Sequence, residues 1–331
     1  MTALGASATV RPYPTSENLL PNLGFEVSDD IHPDADRIGA HLQDWAKRVG
    51  LASSPHKLAR QFDASFERVA ARIFPALPRR DVQLYAQWVV WLFVLDDEQD
   101  EGFMGRSVTE VDEAFAELTA VVDGYMPPRE AAPVALVLAE LWSRTTLQMS
   151  QTWRARFLQN FRRYHAAFRA QAAHRFHGTV PSLEDYPELR RYDNAMFMFD
   201  LVEVAHRTEV PPSLANSDAW REMHAASSDI TAWCNDLVSL NRDSAQGEQW
   251  NYVAVYQSAT GCSQATAIRT VRNHIRARSV DLVATKNRVV AHIADCPNVE
   301  NVMAVANTVC AIPGAHYAWL RESGRHTNQA H

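Results

Sequence analysis

From about Asp34 onward, apolar residues return every three or four positions, and this 3.6-residue rhythm predicts one helix after another. The expected helices cover 34–49, 54–72, 81–98 and 108–122. Further ones cover 133–170 with one break, 183–204, 217–243, 251–257, 263–294 and 298–323. Proline marks the gaps, at Phe74-Pro75-Ala76-Leu77-Pro78, Pro127-Pro128, Pro211-Pro212 and Cys296-Pro297. Asp81 and Ser217 stand where N-caps are expected. No alternating β-branched run competes, and no fixed-period repeat recurs. The pattern implies an all-α, single-domain helical bundle over 21–331, preceded by a loose arm over 1–20 with Pro12 and Pro14 among Ser and Thr.

Composition narrows this picture. A chain of 331 residues with 47% apolar residues can bury a large core, and 12 glycines are few for a Gly-rich α/β or all-β design. The net charge of −7 is spread without long runs of one sign, which gives no nucleic-acid surface. Cys234, Cys262, Cys296 and Cys310 lack close pair spacing, so neither a zinc site nor a disulfide framework is indicated. With no leader pattern and no apolar run of roughly 18–20 residues, a soluble cytoplasmic protein without a membrane partner is expected.

Two acidic stretches carry the candidate chemistry. Asp96-Asp97-Glu98-Gln99-Asp100 ends the apolar run from Tyr85 to Leu95, with Asp96 and Asp100 four residues apart on one helix face. Acidic residues at a helix C-terminus oppose the macrodipole, so a cation is expected beside them. In the second stretch Asn235, Ser239 and Asp243 stand at i, i+4 and i+8, again on one face, with Arg242 alongside. Oxygen-only ligands suit Mg²⁺, which completes its shell with water and substrate phosphates. Arg190-Arg191, before the apolar run Asn194 to Val204, offers guanidinium to a diphosphate. Below Asp96, helical spacing places Val89, Leu92 and Tyr85 or Trp88 as pocket residues, with Trp91 and Phe93 turned into neighbours. Phe197, Phe199, Tyr317 and Trp319 add aromatic surface of the kind that stabilises carbocations.

In this order and spacing the motifs resemble those of bacterial class I terpene synthases, over most of the chain. Asp96–Asp100 is similar to the aspartate-rich motif, and Asn235, Ser239 and Asp243 to the Asn/Ser/Glu metal triad. Arg190, Asp193 and Asn194 resemble the pyrophosphate sensor, linker and effector, and Arg242 the basic residue touching diphosphate. Trp153-Arg154-Ala155-Arg156-Phe157 and Gly247-Glu248-Gln249-Trp250-Asn251-Tyr252-Val253 resemble two further signatures. Trp319, Ser323 and Arg325 match a C-terminal pattern that ends in Arg-Tyr, with His326 in place of the tyrosine.

The resemblance implies a helical bundle around an apolar cavity, with three Mg²⁺ ions bound with substrate and Mn²⁺ as a substitute. Asp96, Asp100, Asn235, Ser239 and Asp243 are the implied metal ligands. Arg190, Arg242, Arg325 and His326 would bind diphosphate, with Asp97 pairing Arg325 on closure. Tyr85, Trp88, Val89, Leu92, Phe197 and Trp319 would contact the substrate chain. The implied reaction is cyclisation of farnesyl diphosphate, with geranyl or geranylgeranyl diphosphate as alternatives, and a homodimer is compatible with it. A chain-elongating prenyltransferase would need a second Asp-Asp-x-x-Asp where Asn235–Asp243 stands. A non-catalytic helical binding protein would leave the order of ligands and arginines unexplained.

Overall fold

The computed structural model describes residues 23–51, 64–100, 107–294, 296 and 298–323, the side chains of Gln99 and Asp100 excepted. The expected arm over 1–20 and the first part of the second expected helix lie outside these residues. Among the described residues there are only helices, turns and loops. They are α1 (Ala35–Val49), α2 (Phe66–Ile73), α3 (Arg79–Asp100), α4 (Val108–Val122), α5 (Pro133–Thr145), α6 (Gln151–His177) and α7 (Tyr186–Asp193). After these come α8 (Phe197–Ala205), α9 (Pro212–Ala215), α10 (Asp218–Ala245), α11 (Tyr252–Thr260), α12 (Gln264–Ile293) and α13 (Val299–Glu322).

α10 lies between α12 and α13, and α3 packs against α1, α2, α5 and α8. Residues such as Ile230, Ala226 and Cys234 leave α10 buried almost all round, as expected of a helix with neighbours on several sides. A second apolar centre is aromatic. Trp88, Trp91, Phe157, Phe161, Tyr164 and Phe197 meet with ring centroids 5.2 to 6.5 Å apart, joining α3, α6 and α8. No helix of the described residues is long and apolar enough to cross a membrane.

Ser217 caps α10, accepting from the Trp220 amide at 3.2 Å, as its position predicts. Asp81 does not cap α3; the helix begins at Arg79, just after Pro78, and Asp81 lies in its first turn, paired with Arg207. The stretch 133–170 breaks once, through the short 3₁₀ turn Thr146–Gln148, where Ser150 caps α6. The run 183–204, read from periodicity as one helix, is two. Between α7 and α8 the chain turns at Asn194–Met196, with Ala195 at φ +53°. This left-handed conformation costs a non-glycine residue about 1 kcal/mol, and no Gly or Pro marks it in the sequence.

α13 carries Pro313 inside it, which denies the Val309 carbonyl its helical donor. The Ser227 hydroxyl of α10 donates to that carbonyl instead, at 2.6 Å, so the break in the ladder is satisfied across the core. One residue on, Gly314 is crossed by the segment that precedes α1. A Cβ there would lie 2.1 Å from the Glu26 carbonyl oxygen, so only glycine admits this crossing. Farther along, the Trp319 indole and the Ser323 hydroxyl both donate to the Ala64 carbonyl, at 2.8 and 3.1 Å. The position of α13 over the molecule is therefore fixed at three levels.

Candidate active site

A cavity opens between α3, α7, α8, α10 and α13. Counting its open mouth it encloses ≈ 1180 Å³, enough for a small-molecule ligand. α3 contributes Tyr85, Val89, Leu92, Phe93 and Asp96, a stripe of i, i+4, i+7, i+8 and i+11 that makes an apolar wall with one carboxylate at its end. The break between α7 and α8 brings in Arg190, Asp193, Asn194, Ala195, Met198 and Phe199. α10 supplies Thr231, Asn235, Asp236, Arg242 and Asp243, and α13 supplies Ile312 and His316. Polar and apolar residues are thus segregated along the helices that bear them.

Asp236 organises the polar end. It is 1% exposed and accepts from the Tyr186 hydroxyl (2.8 Å), Arg190 Nε (2.9 Å) and the Tyr252 amide (3.2 Å). Arg190 also donates to Asp193 at 3.0 Å and to Asn235 Oδ1 at 3.4 Å. Burial works against the Arg190 charge, but Asp236 and Asp193 outweigh it and hold its pKa above the ordinary value. Burial likewise pushes the Asp236 carboxyl up, against the pull of Arg190. Three donors converging on Asp236 are what a carboxylate requires, so we take the pair as ionised. Arg190 is accordingly a fixed charge, held from two sides.

Asp243 is held as firmly. Its Oδ2 accepts from the Ser239 hydroxyl at 2.6 Å and Asn251 Nδ2 at 3.0 Å, and its Oδ1 from Arg242 at 3.2 Å. Ser239 itself is buried behind Asp243. The loop after α10 closes this end: Glu248 accepts from the Trp250 amide and from Arg175, at 2.8 and 2.6 Å, and the Trp250 indole donates to Asp193 at 3.0 Å. Asn251 caps α11 while donating to the Asp236 carbonyl at 2.7 Å. This second quoted signature, residues 247–253, welds α10 to α7 and α6. The first, residues 153–157, is structural too: Arg156 pairs with Asp200 (3.1 Å) and Glu203, and Trp153 donates to the Asp200 carbonyl.

The residues selected from sequence fall into three groups. Tyr85, Val89, Leu92, Asp96, Arg190, Asp193, Asn194, Asn235, Arg242 and Asp243 line this one cavity, with Ser239 directly behind Asp243. Trp88, Phe197 and Trp319, expected against the substrate chain, are in the packed core instead. Trp88 stands roughly 80° round α3 from Asp96 and donates to Thr145 at 2.9 Å. Phe197 joins the aromatic centre because the break before α8 resets the helical phase, turning Met198 and Phe199 to the cavity. Trp319 lies behind Phe93, ring centroids 5.7 Å apart, and Phe93, expected to turn away, takes the wall position. Arg191 is drawn off to Asp229 at 2.7 Å. Arg325, His326 and the Asp100 side chain lie outside the described residues.

The sequence pattern gives Asp236, Trp250 and His316 no role of their own. Asp236 lies inside the stretch Asn235–Asp243, and its place one residue after Asn235 turns it towards α7, a signal that only the position of α7 makes readable. Asp96, Asn235, Ser239 and Asp243 offer carboxylate, amide and hydroxyl oxygen without sulfur or imidazole. This donor set fits a hard divalent cation.

Comparisons with known proteins find relatives of the chain along most of its length. Residues 87–280 match the family model described as terpene synthase family 2, C-terminal metal binding. The (+)-T-muurolol synthase of Roseiflexus castenholzii, whose name specifies cyclisation of (2E,6E)-farnesyl diphosphate, is 30% identical over 258 residues, 77% of this chain and 78% of that one. Pentalenene synthase of Streptomyces exfoliatus is 27% identical, covering 89% of each chain. Among solved structures, germacradien-4-ol synthase from Streptomyces citricolor superposes with a TM-score of 0.79 over 91% of this chain and 98% of that one; at 23% identity this likeness shows the fold.

Proposed function

The chain belongs to the terpene synthase family, and on that premise we propose that it ionises and cyclises farnesyl diphosphate to a sesquiterpene with release of diphosphate. A divalent metal is implied by the matched metal-binding region; we take it as Mg²⁺, with three ions when substrate is bound and Mn²⁺ as a substitute. The observation that carries the reading is the segregation of the cavity. Arg190, Asn235, Asp236, Arg242 and Asp243 form one hydrogen-bonded polar group, Asp96 ends the α3 stripe, and Tyr85, Val89, Leu92, Phe93, Phe199 and Ile312 give the wall its apolar surface.

In this reading Asp96 and Asp100 would hold metal from α3, and Asn235, Ser239 and Asp243 would hold it from α10. When bound, the metal supplies positive charge to the diphosphate oxygens as they become a leaving group. Arg190 and Arg242 donate to the same oxygens, with Arg325 and His326 as proposed partners from the C-terminus. Because Arg190 is already oriented by Asp236 and Asp193, its charge need not be reorganised at the moment of ionisation. Asp193 links that guanidinium to Asn194, whose carbonyl at the helix break would face the nascent allylic cation. The apolar wall shields the cation from water while the chain folds and closes its rings.

Farnesyl diphosphate is preferred to its C10 and C20 homologues on the activity named for the muurolol synthase relative. The test is incubation with Mg²⁺ and, separately, geranyl, farnesyl and geranylgeranyl diphosphate, with and without isopentenyl diphosphate, and gas chromatography–mass spectrometry of the extract. A dominant cyclic C15 product is expected, unchanged by isopentenyl diphosphate. A C10 or C20 product would overturn the substrate, and a lengthened prenyl diphosphate would overturn the reaction.

A further inference from the structure

One imidazole stands in the cavity wall, close enough to Arg190 to feel its charge. His316 follows Ile312 by one turn of α13, and both side chains line the cavity. Its Nδ1 is enclosed by protein and has no hydrogen-bond partner among the described residues. The Trp319 ring lies on its other side, with centroids 5.3 Å apart. The helix that bears it is held by the Ser227 bond at Val309 and the backbone crossing at Gly314, two residues away. Leaving a buried polar atom without a partner is costly, so the ring is not placed here for packing alone, and Nε2 is the nitrogen left to meet a ligand.

The other basic groups of the cavity are engaged. Asp193, Asp236, Asp243 and Glu248 each accept from one or more donors at the polar end. Burial, with Arg190 adding to it, pushes His316 down to about 4, so the imidazole is neutral near pH 7 and keeps a lone pair. Neutrality also matters earlier in the reaction, since an imidazolium would repel the cation forming beside it.

Resting on the cyclase reading above, we propose that His316 is the catalytic base that ends the reaction, so that the product is a hydrocarbon and not an alcohol. A C–H bond on the carbon next to the final cationic centre breaks, and its electron pair becomes the new double bond. The proton goes to a His316 ring nitrogen. An alkyl cation is so strong an acid that even a weakly basic imidazole accepts its proton. The imidazolium then gives the proton to the released diphosphate, a stronger base, and the neutral ring is restored.

The test uses the full chain with farnesyl diphosphate and Mg²⁺, and follows diphosphate release and product composition together. For H316F, which fills the site without a base, the share of the parental hydrocarbon per diphosphate released is expected to fall about fivefold or more. Double-bond isomers or water-quenched products should replace it. H316A should behave likewise and recover that hydrocarbon when imidazole is added, but not when the similarly sized and far less basic pyrazole is added. Parental product shares within about twofold in both variants, a loss in H316A that imidazole does not restore, or an alcohol as the main product of the unmodified protein would each overturn the assignment. Failure of the unmodified protein to release diphosphate from any prenyl diphosphate would instead strike the cyclase reading beneath it.

Discussion

Asp96→Asn is expected to lower kcat/KM for farnesyl diphosphate by about 10³-fold, the scale of losing one preorganised electrostatic partner of the leaving group. Asparagine keeps the shape and one oxygen but removes the charge that the metal requires. Asp96 stands at the end of an α3 stripe whose other members are apolar wall residues, so the change would remove the proposed ligand without disturbing the core. The paired change Asn235→Ala with Ser239→Ala, on the opposing helix, should have an effect of the same order. Diphosphate release measures the loss, and an unchanged far-ultraviolet circular dichroism spectrum shows that the helices remain. Turnover near the parental level in either variant would remove these residues from the metal site.

Asp236→Ala should instead cost stability. It strips the buried Arg190 of its closest partner and leaves the Tyr186 hydroxyl and the Tyr252 amide without acceptors. Breaking one side of a buried ion pair typically costs about 3–5 kcal/mol, because the remaining charge stays desolvated. A surface pair such as Arg221–Asp218, both members largely exposed, carries no such penalty. Urea unfolding followed by circular dichroism would read the shift. Activity should fall as well, since Arg190 loses its orientation while keeping its charge. A shift below about 1 kcal/mol would mean that Arg190 finds another partner, and that Asp236 does not organise the polar end.

These two residues also show where sequence was sufficient and where it was not. Asp96 was readable because its helix is long and regular, so a stripe counted back from it reaches Val89, Leu92 and Tyr85 at the cavity. The same counting left Trp88 as an alternative, and only the packing of α3 against α5 sends that ring to Thr145. Asn235, Ser239 and Asp243 keep helical register in α10 and meet as spaced. Register fails across a break. Ala195 adopts a left-handed conformation that alanine gives no warning of, so one expected helix is two and Phe197 faces away from the cavity. Asp236 and His316 were hidden for a related reason: their roles depend on α7 and on the crossing at Gly314, contacts made far away in sequence. The helical class was legible from periodicity alone, and the partners across helices were not.

In the proposed function, the acidic end of α3 and the oxygen ligands of α10 form one metal–diphosphate site over the apolar cavity. The most direct test is a crystal structure with Mg²⁺ and inorganic diphosphate. Diphosphate is expected at the polar end of the cavity, contacted by Arg190 and Arg242, with Mg²⁺ bound both by Asp96 and by Asn235, Ser239 and Asp243. Diphosphate bound elsewhere, or metal held without either helix, would contradict it.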